Sequence, residues 1–156
     1  MTIEILDESG TGIDVKHLAQ LSRFVMDSMR VHPLAELCIK AVDEATITEL
    51  NEKWMEKDGP TDVLAFPMDE LRPGLVDEEP EEGVLGDIML CPQIAEQQGV
   101  NAGHGTLAEI ELLTTHGILH LLGYDHAEPD EHAEMFGLQA ELLTQWRSGP
   151  GTTSGD

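Results

Sequence analysis

Two cysteines in 156 residues, Cys38 and Cys91, are too few for a disulfide framework, and each sits in or beside an apolar run where a small buried thiol packs well. Basic residues are also scarce: 8 Lys+Arg stand against 31 Asp+Glu, a formal net charge of -23, and after Arg72 the sole basic residue is Arg147. That excludes a protein that coats nucleic acid through a broad basic surface, because polyanions are repelled at long range. Any RNA substrate would need local help. No run of about eighteen apolar residues occurs, and the opening MTIEILDESG lacks the basic region and apolar stretch of a secretion signal, so a soluble cytoplasmic protein is expected. What the chain does have is 40% hydrophobic residues with clear periodicity, enough for one core. The expected organisation is a single domain over residues 1–147 and a flexible Gly/Ser/Thr tail over 148–156.

Alternation in Thr2-Ile3-Glu4-Ile5-Leu6 predicts a half-buried strand. From Asp14 to Arg30, the positions Val15, Leu18, Ser22, Val25 and Met29 step by three and four, one face of a helix with a single polar exception. Glu36 to Val42 reads as a second strand, and Asp43 can cap a helix whose Ile47, Leu50 and Trp54 share a face before Gly59-Pro60 closes it. Short apolar runs at 62–66 and 84–90 predict two more strands, joined by an acidic Met68–Gly83 segment whose composition suits a solvated, mobile surface insertion. A helix from Pro92 to Gln98 with Gly99 as its stop, a longer one opening near Thr106 with Glu109 at capping-box spacing, and a last one from Pro129 with Met135, Leu138, Leu142 and Trp146 on one face complete the pattern. The fold class expected is α+β, a mixed sheet of about four strands covered by helices.

The chemistry lies at the end of the longer helix, in Thr115-His116-Gly117-Ile118-Leu119-His120-Leu121-Leu122-Gly123-Tyr124-Asp125-His126. His116 and His120, four apart, are neighbours on one helical face and can present two imidazoles to one ion. Gly123 tolerates the left-handed backbone that ends helices, so the chain can turn and swing His126 back toward the pair. Three histidines with a fourth position open is the ligand set of a catalytic zinc, one ion per chain. Metzincin peptidases share this frame but carry glutamate as general base after the first histidine, where this chain has Gly117, so peptidase activity is not expected. Asp125 can stabilise the turn, orient a ligand or accept a proton; Asp62 and Asp87 are expected to hydrogen-bond structurally, and Tyr124 to pack beside the site. His17, His32, His104 and His132 lack any such arrangement and read as surface residues.

The eleven residues His116–His126 resemble the signature of the YbeY family of metal-dependent endoribonucleases and ribosomal-RNA maturation factors. Pro60-Thr61-Asp62-Val63-Leu64-Ala65-Phe66-Pro67 is similar to that family's P-T-D-V-L-S-F-P segment, and Leu85-Gly86-Asp87-Ile88 to its L-G-D-I strand, in the same order; the likeness spans about residues 47–146. It implies a small mixed sheet covered by helices with one zinc on His116, His120 and His126 at the end of a central helix. It also implies a single-strand-specific endoribonuclease acting in 16S rRNA 3′-end maturation and ribosome quality control. The partners so implied are ribosomal RNA, single-stranded RNA and a ribosome or ribosomal protein, with no membrane and no DNA. A ribosome-assembly factor with a mainly structural zinc is the alternative.

The family usually carries an arginine where this chain has Met55, and a thioether cannot bind a phosphate as a guanidinium does. Either phosphate binding has moved to Lys53 or Lys57, or hydrolysis is slow. A well-placed transition-state contact is worth about 10²–10³ in rate, so Met55→Arg should raise single-turnover cleavage of a single-stranded RNA visibly if the contact is missing. If a lysine already compensates, the arginine changes little and Lys53→Ala or Lys57→Ala lowers cleavage instead. No change from any of the three, with zinc content intact, refutes both accounts.

Overall fold

The computed structural model describes residues 2–55, 61–69, 71, 82–124 and 128–148. Nine elements run β1 (Thr2–Asp7), α1 (Val15–Ser28), β2 (Glu36–Ala41), α2 (Glu44–Trp54), β3 (Val63–Pro67), β4 (Val84–Leu90), α3 (Pro92–Ala102), α4 (Gly105–Leu121) and α5 (Pro129–Ser148). The four strands form one sheet in the order β1-β2-β4-β3, parallel except for the antiparallel β3–β4 pair, so the expected α+β class with a mixed sheet holds. Among the described residues no helix is long and apolar enough to cross a membrane.

Strand periodicity sorts the sheet into two faces. Leu37, Ile39, Ile88 and Leu90 are buried in the main core with Leu18, Leu21, Val25 and Met26 of α1 and Leu113, Ile118 and Leu121 of α4. Leu64, Phe66 and Met89 instead join a smaller cluster with Ile47, Leu50 and Met55 from α2 and its C-terminus. Helices α1 and α4 therefore cover one side and α2 part of the other. Cys91 is buried as expected, whereas Cys38 on β2 is only half-buried; burial pushes both thiols up from the ordinary value.

Several expected details shift. Ile47 and Leu50 of α2 pack in the smaller cluster as expected, but Trp54 is 60% exposed, and the polar Asn51, buried, and Met55 continue the inward side in its place. An apolar pattern search passes over an asparagine, which is why Trp54 is expected inward where Asn51 is buried. In α1 the stripe starts at Leu18, because Val15 is exposed, and buried Ser22 satisfies its hydroxyl by donating to the Leu18 carbonyl at 2.7 Å. Helix α3 continues past Gly99 and stops at Gly103, which has φ 81°; a Cβ on Gly99 would collide with the Gly105 carbonyl, so its role is close approach of α3 to α4. Nor is there a capping box at Thr106: the helix starts one residue earlier, and Glu109 accepts from the His104 ring at 2.6 Å instead of reaching backbone. In the acidic segment Met68, Asp69 and Glu82 are exposed as expected, but Leu71 is buried in the main core; residues 70 and 72–81 lie outside the described residues.

His17 is not a plain surface residue either. Its Nε2 lies 2.7 Å from Glu111, a buried α4 carboxylate that also accepts from Arg147 at 3.0 Å and from the Trp146 indole at 3.3 Å, both near the end of α5. Glu111 thus ties α1, α4 and α5 together. Burial pushes its carboxyl up, but the hydrogen bonds from His17, Arg147 and Trp146 and the Arg147 charge outweigh that and hold it below the ordinary glutamate range. A depressed folded value means stability that is fully present above the ordinary glutamate value and lost as pH falls through the folded one. Glu111→Gln should therefore cost about 1.5–3 kcal/mol at neutral pH and flatten the acid limb of a thermal-stability profile. An unchanged acid limb would show that the carboxylate does not stabilise the fold.

Candidate metal and hydrolytic site

Helix α4 is the central helix, and its last turns are seated on β4 through two glycines. A Cβ on Gly86 would run into the Phe66 carbonyl and come within 2.9 Å of the Leu121 side chain; a Cβ on Gly117 would lie 3.0 Å from the Ile88 side chain. Gly86 follows the extra residue of a bulge, where the β2–β4 register shifts between Glu36 and Leu37. The L-G-D-I motif thus packs as a unit: Gly86 admits the helix, and Ile88 fills the dent at Gly117. Thr114 and Thr115, buried in the helix, donate their hydroxyls to the carbonyls four residues back, so neither hydroxyl is left unpaired in the core.

With Gly117 facing the sheet, the half-buried His116 and His120 lie together on another side, ring centroids 4.7 Å apart and nearly perpendicular at 80°. The predicted stop is present. Gly123, with φ 101°, donates to the His120 carbonyl and Tyr124 to that of Leu119, the paired bonds of a helix terminated in the left-handed conformation. A helix C-terminus carries partial negative charge, which favours a cation beside these rings. His126 and Asp125 lie outside the described residues, and among those described no group of three potential metal ligands converges.

A residue that sequence reading missed sets the chemistry of His116. Gln139 of α5, only 4% exposed, holds its Oε1 2.9 Å from His116 Nδ1. An amide oxygen only accepts, so Nδ1 carries the proton and the lone pair of the neutral ring is on Nε2, the form a metal ligand needs. Phe136, one turn earlier on α5, lies against the same imidazole with centroids 5.5 Å apart. His132 in turn stacks on Phe136 at 4.3 Å, so this exposed histidine extends the wall behind His116. The available signal was the helical spacing of His132, Phe136 and Gln139, hidden because a glutamine among apolar positions looks like a surface residue. Tyr124 is half-buried against the main core as expected, and burial, then the Glu134 charge, raises its phenol.

The remaining candidates are placed as follows. Asp62 caps the entry to β3, its Oδ1 accepting from the Val63 amide at 2.8 Å and the Thr61 hydroxyl at 3.4 Å, a structural role as expected. Asp87 stands half-buried in β4 opposite Cys38 and Phe66. Met55 packs in the apolar cluster under α2, while Lys53 is exposed; Lys57 lies outside the described residues.

A family model described as Endoribonuclease YbeY matches residues 4–147. The chain belongs to the endoribonuclease YbeY family. Proteins named Endoribonuclease YbeY from Nocardioides sp. and Acidothermus cellulolyticus are 80% and 60% identical, covering 95% of this chain in each case and 99% and 93% of their own lengths. The solution structure of TM1509 from Thermotoga maritima is similar at 30% identity and a TM-score of 0.64, with 96% of this chain and 94% of that one covered.

The placement of Gly117 bears on the peptidase alternative. A carboxylate introduced there would be directed at Ile88 in the core and would meet neither histidine nor solvent. Gly117→Glu should therefore destabilise the fold by about 3 kcal/mol or more and give no casein hydrolysis, read by thermal melting beside a protease assay. A cooperatively folded variant that digests casein would refute this placement.

Proposed function

We propose that this chain is a zinc-dependent endoribonuclease specific for single strands, acting in 16S rRNA 3′-end maturation and ribosome quality control in the cytoplasm. The observation that carries the hydrolytic reading is the His116–Gln139 bond, which selects the ligand form of a histidine paired with His120 at the end of α4. The relatives named as endoribonucleases support RNA as the substrate.

The residues fit the metal: His116 and His120 from α4 and His126 beyond Gly123 would hold one zinc ion, all three as neutral imidazoles. Bound there, zinc supplies a Lewis acid for a phosphodiester oxygen and the local positive charge that a protein of formal charge -23 otherwise lacks. The protein's own part is orientation. Gln139 and Phe136 fix the His116 ring, and the Gly123 turn ends α4 two residues before Asp125 in the sequence. Asp125 is positioned in sequence to orient a ligand or take a proton, and Lys53 and Lys57 to counter a phosphate. Affinity for the ribosome would then rest on a ribosomal protein as well as on RNA, given so few basic residues.

One observation favours a second reading, a ribosome-assembly factor with a mainly structural zinc. Met55, at the family's usual arginine position, packs in an apolar cluster and offers nothing to a phosphate.

Cleavage of single-stranded RNA, duplex RNA and casein, by the parent and by His120→Ala with and without a chelator, tests the proposal. Single-stranded RNA alone should be cut, and both His120→Ala and the chelator should abolish cutting. Gln139→Ala should weaken zinc affinity about 10–100-fold, measured by competition with a chromogenic chelator. RNA cleavage that survives His120→Ala would overturn the assignment, and zinc bound tightly without any RNA cleavage would favour the assembly-factor reading.

A further inference from the structure

Aromatic residues are few, and five of the six (Phe24, Phe66, Tyr124, Phe136 and Trp146) are half-buried. Trp54 departs from this. In the last turn of α2 it is 60% exposed, and the ammonium of Lys53 lies over its ring, 5.2 Å from the centroid. The reason it stays outside is the α2 line described above, in which Asn51 and Met55 take the inward positions. A large indole left in water on a protein this short of aromatics is an uncovered apolar surface with a cation on it.

We infer that Trp54 and Lys53 form a stacking ledge for an unpaired nucleobase of single-stranded RNA, the indole taking the base and the ammonium countering its phosphate. This rests on the endoribonuclease reading and adds to it a binding subsite outside the histidine cluster. The chemistry matches in each part. Every base has a π-face that an exposed indole can stack on regardless of sequence, and a base inside a duplex has none to offer. The ammonium sits over the 60% exposed ring, and Lys53 is one of only 8 basic residues in the chain. The ledge also adjoins Met55, whose thioether packs on the apolar cluster and offers no charge, so an RNA strand near that point is held by stacking more than by charge. Glu49 and Glu52 on the same helix oppose a phosphate, which again assigns most of the hold to the ring.

Two single-tryptophan proteins test this: Trp146→Phe, which keeps Trp54, and Trp54→Phe, which keeps Trp146. Titration with a short single-stranded RNA should quench the fluorescence of the first and leave the second unchanged, and the same sequence as a duplex should quench neither. Trp54→Ala should weaken single-strand binding about tenfold or more with an unchanged melting temperature, and Trp54→Phe should retain most of the affinity. Lys53→Ala should have the smaller effect and lower the salt dependence of binding by about one phosphate contact. If Trp54→Ala binds and cuts RNA as the parent does, with Trp54 fluorescence indifferent to RNA, the ledge is overturned while the endoribonuclease reading stands. Equal quenching by duplex overturns stacking in favour of plain charge. A parent protein that neither binds nor cuts single-stranded RNA defeats the underlying reading and the ledge together.

Discussion

Everything at the histidine site depends on how closely α4 can approach β4. A helix lying on a sheet is normally held off by side chains on both surfaces, but here Gly86 and Gly117 remove one from each, and Ile88 fills the gap. That seating decides which side of the helix is left for chemistry: with position 117 directed into the core, 116 and 120 fall together away from it, rings 4.7 Å apart. The glycine that distinguishes this frame from a metallopeptidase is therefore a packing residue, and the absence of a base there is a by-product of how the helix is seated.

The sequence was most informative where a chemical requirement narrows the choice to one or two residue types. The α4 stop at Gly123, the cap Asp43, and the order of strands and helices all follow from such requirements. The His116/His120 pair was equally legible, since helical spacing alone brings the rings together. Reading failed where a polar residue does a core residue's work. Asn51 is buried in α2 where Trp54 is not, Glu111 gathered His17, Trp146 and Arg147, and Gln139 reached His116 from another helix. Each is buried because it has a partner far away in the chain, and a local pattern carries no trace of that partner. Gly99 illustrates the same limit for glycine, whose close approach to Gly105 looks in sequence like a helix stop.

Charge sets the character of the proposed site. Neutral imidazoles bring no charge of their own, and the surrounding protein is strongly acidic, so attraction for a phosphodiester must come from the ion they would hold and from the few exposed cations. Weak long-range attraction would benefit a hydrolase that acts on single strands, as proposed above. An enzyme that does not adhere to duplex RNA through a basic surface leaves discrimination to short-range contacts, which unpaired nucleotides alone can make.

Helix α5 meets α4 at two separated places, Trp146 and Arg147 on Glu111 and Gln139 on His116. One attachment would act as a pivot about which the helix could swing; two, spaced along both helices, fix its angle as two screws fix a hinge plate. The angle at which Gln139 meets His116 is then set partly by an ion pair more than a helical turn away that touches neither His116 nor His120. Drift at Arg147 or Trp146 over evolutionary time would accordingly register at the histidines as a change of tilt, so positions that look like ordinary helix surface are constrained by the precision the imidazole requires.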